Sequence, residues 1–167
     1  LKVDVGQSAA PPAEAPLTPL TLTDADIGAS FFTIGAGSAA AGVTVGAVPG
    51  QGVVKGSAAG LHLAPGPQPD GGFAGAYFST GFGSIDIAFT AGAQTELALL
   101  WGSVDPSNES GSGSGPNYLT FKRAGATVAT YSSDDLRAAA LDQLAGTVVS
   151  FDGVYAVLTD TTGAFDE

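Results

Sequence analysis

The apolar positions of this chain fall in short runs, not at helical spacing. Leu1, Val3 and Val5 alternate with Lys2 and Asp4, the period-2 pattern of a strand with one apolar face. Ile85, Ile87 and Phe89 alternate in the same way with Ser84, Asp86 and Ala88. Leu97–Trp101 does not alternate, which is the pattern of a central strand covered on both faces. Together the runs predict strands over 1–5, 20–23, 30–34, 43–48, 53–55, 74–79, 84–90, 96–104, 118–122, 127–131, 147–151 and 155–160. Turn residues, glycine above all, separate them at intervals of about 8–12 residues, as in a sandwich or barrel. The expectation is an all-β chain: a β-sandwich or jelly-roll-like domain over 20–167.

One segment departs from strand patterning. Ser133 can cap a helix, Asp134 and Asp135 suit its positive end, and Gly146 can stop it. Leu136, Ala140, Leu141 and Leu144 would form its narrow apolar face. Ahead of the domain, residues 1–19 read as an extended N-terminal arm. Its strand is followed by a stretch containing Pro11, Pro12, Pro16 and Pro19, a composition that favours extended backbone and acts as a semi-rigid spacer. Such a strand can pair with its own sheet edge or a neighbour's, with Leu1, Val3 and Val5 entering the groove.

Composition sharpens this picture. Charged residues are 13% of the chain and hydrophobic residues 44%, so much of the surface must be Gly, Ser, Thr and Ala. The net charge of −11 rests on only five basic residues, which argues against binding phosphate backbones or anionic membranes. The chain contains neither Cys nor Met. The missing initiator, and the absence of any run of about 18 apolar residues, fit a mature exported chain with no membrane insertion.

Candidate chemistry is sparse. His62 is the only histidine, so triads and zinc sites built on several histidines have no partner set. In Leu61-His62-Leu63 it would face the polar side of a half-buried strand. Asp86, Glu96, Asp105, Asp134 and Asp135 are the carboxylates available for paired acid–base work, and none lies in a catalytic motif. No catalytic residue is assigned and no organic cofactor is called for. Calcium, which takes oxygen ligands from loops, is the one ion considered, with Asp24 and Asp26 as ligands; Asp160, Asp166 and Glu167 could approach another such site. Trp101, Tyr118 and Tyr131, with Tyr77, are the candidate glycan-stacking platform, weighed against a buried core role for Trp101. The Gly/Ser spacer 106–116 contains Asn108-Glu109-Ser110, a glycosylation sequon of low specificity.

Several segments carry a family resemblance. Leu99-Leu100-Trp101-Gly102-Ser103-Val104-Asp105 is followed by Asn117-Tyr118-Leu119-Thr120-Phe121, then Gly125-Ala126-Thr127-Val128, then Tyr131-Ser132-Ser133-Asp134-Asp135-Leu136. With 52–61 and 64–66 upstream, and 149–151 and 161–166 downstream, this order resembles PEP-CTERM-type, exosortase-dependent bacterial surface proteins. The likeness spans about residues 50–166. The spacer 106–116 is longer than is usual there, and no Pro-Glu-Pro sorting signal follows. The resemblance implies export and a β-sandwich; it transfers no catalytic residue. The expected function is a non-enzymatic cell-surface or extracellular (biofilm) matrix structural protein, a filament or lattice subunit that partners itself or other surface components. The alternatives are a carbohydrate-binding module that takes polysaccharide, and a viral capsid decoration protein.

Overall fold

The structure, a computed structural model, describes residues 2–6, 22–28, 31–33, 43–47, 52–58, 62, 64, 75–80, 84–102, 104–105, 116–145, 151, 153–159 and 163–167. Its elements are almost all strands: β1 (Lys2–Gly6), β2 (Phe31–Thr33), β3 (Val43–Ala47), β4 (Gly52–Lys55), β5 (Ala76–Ser79), β6 (Ile85–Phe89), β7 (Glu96–Trp101), β8 (Tyr118–Arg123), β9 (Ala126–Ser132) and β10 (Val154–Thr159). One helix, α1 (Ser133–Gln143), follows β9 directly. Among the described residues the structure is mostly strands with one short helix, consistent with the all-β class that the patterning predicts. Among the described residues, no helix is long and apolar enough to cross a membrane.

The strands pair antiparallel in small sheets: β1-β10-β7, β2-β3-β6, β4-β5 and β8-β9. The core forms where β7, β10, β8 and α1 meet. Trp101, Leu99 and Leu97 of β7 stand opposite Val154, Ala156 and Leu158 of β10, so all six share one face. Phe121 of β8, Leu136 and Ala140 of α1, Val104 and Phe165 complete the cluster. β10 is the central strand, with β1 on one side and β7 on the other. This corrects the expectation that Leu97–Trp101 is central: among the described strands β7 pairs only with β10. An apolar run reports cover on both faces of a strand, not how many neighbours it has in the hydrogen-bonding direction.

Other local readings also shift. The strand expected over 20–23 is not one in its described part: Leu22 and Thr23 are irregular and lead into a 3-10 turn at Asp24–Asp26. Asp26 Oδ2 accepts from both Thr23 N (2.7 Å) and Thr23 Oγ1 (2.8 Å), a local box that competes with strand pairing. The strand expected to reach Val104 ends at Trp101, before Gly102. Phe151 lies in a bend, and the rest of the strand expected there is outside the described residues.

The helix begins one residue earlier than its sequence suggests. Ser132, not Ser133, is the cap: its Oγ accepts from Asp135 N (3.2 Å), and Asp135 Oδ2 accepts from Ser132 N (2.9 Å). Leu136 and Ala140 are buried, whereas Leu141 is 58% exposed and leaves the expected apolar face. Leu136, Ala140 and Leu144 are spaced by four; Leu141 falls five after Leu136 and turns outward. Gly146 lies outside the described residues.

Candidate functional site

Two segments distant in sequence occupy seats along the sheets. The first is β1. It runs antiparallel to β10 of its own chain through five consecutive rungs, from Lys2↔Thr159 through Asp4↔Val157 to Gly6↔Tyr155. Helix α1 lies against it. The arm strand is therefore an edge strand of the sheet that carries the core. Val3 stands at the register position of Leu158, and Val5 at that of Ala156. Leu1 and the spacer 7–19 lie outside the described residues.

The second seat holds Gly163–Glu167. Gln94 and Phe165 exchange backbone bonds, N to O at 2.6 Å and back at 2.7 Å. Phe89 N donates to Asp166 O (2.9 Å), Asp166 N to Lys122 O (2.9 Å), and Lys122 N to Glu167 O (2.7 Å). The segment thus bridges β6 and β8. Its anchor is Phe165, 1% exposed, packed edge-on against Phe121 (4.7 Å between ring centres) and Phe89 (5.8 Å). Its two acids each find a donor. The Asp166 carboxylate accepts from Ala124 N at 3.0 and 3.2 Å, and Glu167 Oε1 pairs with Lys122 Nζ, which also lies 4.0 Å from Asp86. The hydrogen bond to Glu167, with the charges of Glu167 and Asp86, holds the Lys122 ammonium above its usual range.

Asp166 also explains the turn it caps. β8 and β9 are joined by Ala124 and Gly125, with φ of +50° and +78°, a two-residue hairpin of the mirror-image kind. Gly125 adopts that backbone freely, but Ala124 does so against its Cβ. The carboxylate fixes the Ala124 N–H in the conformation that the turn needs.

The other sequence candidates are placed apart. Trp101 is buried in the core. Tyr118 is 63% exposed at the start of β8, opposite Ser132, while Tyr131 pairs with Leu119 and packs toward the core. Neighbouring residues of a strand face opposite ways, so Tyr118 and Tyr131 sit on opposite faces of the hairpin and the three aromatics form no common platform. Asp24 and Asp26 point to different partners: Asp24 pairs with Lys55 Nζ at 2.9 Å, and Asp26 closes the Thr23 box. Among the described residues, no group of three His, Cys, Asp or Glu stands close enough to hold a metal ion. Asp166 and Glu167 serve the second seat, and Asp160 lies outside the described residues. Glu96 accepts from Thr159 Oγ1 (3.2 Å), and Asp135 belongs to the helix cap.

His62 does not sit on the polar side of a strand. It forms an isolated bridge with Ala58, and its Nδ1 lies 2.8 Å from Tyr77 Oη and 3.1 Å from Gly56 O. Tyr77 Oη donates to Gly56 O (2.6 Å), and burial pushes its phenol above the usual range. The cluster ties β5 to the loop after β4.

Ser133, expected as the helix cap, has another role. It is fully buried; its Oγ donates to Asp105 O (2.5 Å) and accepts from Asn117 N (3.2 Å), while its N donates to Asn117 O (2.9 Å). One serine therefore holds both feet of the Gly/Ser spacer. Arg137 supports the same place, donating to Val104 O (2.9 Å) with its guanidinium 3.7 Å above the Phe151 ring. Comparison with known proteins returned no matching family model, no matching curated sequence and no matching solved structure.

Proposed function

We propose that this chain is an exported, non-enzymatic structural component of a cell surface or extracellular matrix. In this reading the strands form a β-sandwich or jelly-roll-like domain, and copies join by donating the strand Lys2–Gly6 to a neighbour. The observation that carries it is the five-rung ladder between β1 and β10. The same backbone bonds form whether the strand belongs to the chain that owns β10 or to the next one, because a ladder reads backbone and not chain identity. The spacer 7–19, extended at about 3.1 Å per residue, reaches about 40 Å, enough to pass between neighbouring subunits. Head-to-tail donation does not close and therefore propagates into fibres. The resemblance to exosortase-dependent surface proteins and the low density of charge support the same setting.

The test is assembly, followed by electron microscopy and light scattering, of the full chain against a chain lacking residues 1–15. The chain has no cysteine, so Lys2→Cys with Thr159→Cys creates a single reporter pair across the ladder. The expected result is filaments or a lattice from the full chain, disulfide-linked multimers from assembled double-cysteine protein, and no assembly after the deletion. Unchanged assembly of the deleted chain rejects strand donation.

A further inference from the structure

We infer that Glu96 keys, by charge, the register of the strand on the β10 edge. That edge selects an extended strand with a cation on the row of Thr159 and apolar residues one and three positions later. Backbone pairing alone does not choose a register, since every two-residue step offers the same ladder. A one-residue slip is excluded by the apolar pattern, because it would replace Val3 and Val5 by Lys2 and Asp4 at the core-face positions. A two-residue slip is not excluded, because it returns apolar residues to that face. A second determinant is needed, and the other face of the sheet carries it.

Lys2, Thr159 and Glu96 stand on one row across β1, β10 and β7. Glu96 is the one charged residue of β7 and β10 together. Thr159 Oγ1 donates to its carboxylate, which draws that charge toward β10. Neighbouring strands lie about 4.8 Å apart, so positions 2 and 96 are about 10 Å apart at the backbone, a gap that a lysine and a glutamate together can span. The other four basic residues stand elsewhere: Lys55 on Asp24, Lys122 on Glu167, Arg123 beside Gly163 and Arg137 over Phe151. A two-residue slip one way puts Asp4 on the row of Thr159 and Glu96, acid against acid. A slip the other way moves Lys2 to the row of Val157 and Ala98, where Val157 is buried and β10 and β7 offer no acid. The observed register is the one that gives the cation an acid. This key deepens the reading of β1 as a donated strand and rests on it where a neighbour supplies the strand; within one chain it holds by itself.

Two cysteine reporters read the register in the full chain, which has no cysteine of its own. Gly6→Cys with Tyr155→Cys links in the observed register, and Gly6→Cys with Val157→Cys links after a two-residue slip. Each is equilibrated in a glutathione buffer, and the ratio of the two linking equilibria is compared between backgrounds. Exchanging the charges, by Lys2→Asp with Asp4→Lys, should shift that ratio toward the slipped link by about two- to tenfold. Adding Glu96→Lys to the exchanged strand should shift it back. Glu96→Lys alone should also shift it toward the slipped link, and leaves β1 itself unaltered if the exchanged strand fails to pair. An unchanged ratio, or a shift that Glu96→Lys does not reverse, overturns the key. Non-reducing electrophoresis shows whether the links lie within chains or between them. Links only within chains, with the expected shift, reject donation and leave the key standing; links between chains at an unchanged ratio do the reverse.

Discussion

The two seated segments of this molecule are held by different physics. β1 is held on β10 by five rungs of backbone pairing. Gly163–Glu167 is held by backbone bonds shared between β6, Gln94 and β8, a fully buried aromatic ring and two carboxylates with dedicated donors. A ladder tolerates almost any side chain but no loss of its N–H groups. An anchored seat tolerates little change at its anchor and depends less on each backbone bond. The first is suited to repeated pairing, the second to discrimination, and substitutions at the two should fail in opposite ways.

The largest effect is expected at the anchor. Phe165→Ala removes a ring that is 1% exposed from between Phe121 and Phe89 and should lower stability by about 3–5 kcal/mol. Denaturant unfolding followed by the Trp101 signal measures it, and a loss below about 1 kcal/mol would mean the pocket collapses without cost.

The ladder is broken differently. In an edge strand, alternate N–H groups face the neighbour, so of Val3→Pro and Asp4→Pro one deletes a bond to β10 and the other does not. The first should cost about 1–3 kcal/mol and the second under about 1 kcal/mol, read by unfolding and by hydrogen exchange of the β10 amides. Equal costs would show that proline acts through backbone shape and not through the ladder.

The turn capped by Asp166 offers a gain. Ala124→Gly relieves a non-glycine residue at φ +50° and should stabilise the chain by about 0.5–1 kcal/mol. The same substitution in an Asp166→Asn background should give no larger a gain, because a turn less tightly held by residue 166 can relax part of the strain that glycine would relieve.

The smallest effect is a pH dependence at the alkaline end. Tyr77 and Tyr155 are pushed above their ordinary range by burial, and Lys122 chiefly by its bond to Glu167. A raised folded-state pKa means that the folded chain holds the proton more tightly. That stability is complete below the unfolded value, near 10, and is lost as pH rises through the folded one. Urea midpoints should therefore be level from pH 7 to 9 and fall above about pH 10; a fall that begins near pH 8 would contradict it.

Particular elements show how far the sequence could be read. Lys2–Gly6, Ile85–Phe89, Tyr118–Arg123 and Val154–Thr159 lie where period-2 alternation or β-branched runs put them, and the one helix lies where capping residues and alanines put it. The cap lies at Ser132, one residue before the expected Ser133, because the two serines are equivalent caps in sequence. Burial of Ser133 under the feet of the Gly/Ser spacer, a tertiary fact, separates them. The site was less legible. Trp101 reads as core first and platform second until its neighbours are known, and Asp166 and Glu167 read as acids of a possible calcium site until Ala124 and Lys122 are brought to them.

The sequence by itself determined most of the described strands, the helix and the acidic, cysteine-free character of the chain, because these follow from local propensity and spacing. Only the tertiary structure decided that β10 and not β7 is central, that Phe165 is an anchor, and that Tyr118 and Tyr131 face apart. Those facts depend on contacts between residues tens of positions apart, such as Lys122 with Glu167 and Lys2 with Thr159, and no local pattern encodes which distant partner a strand edge or a charge will meet.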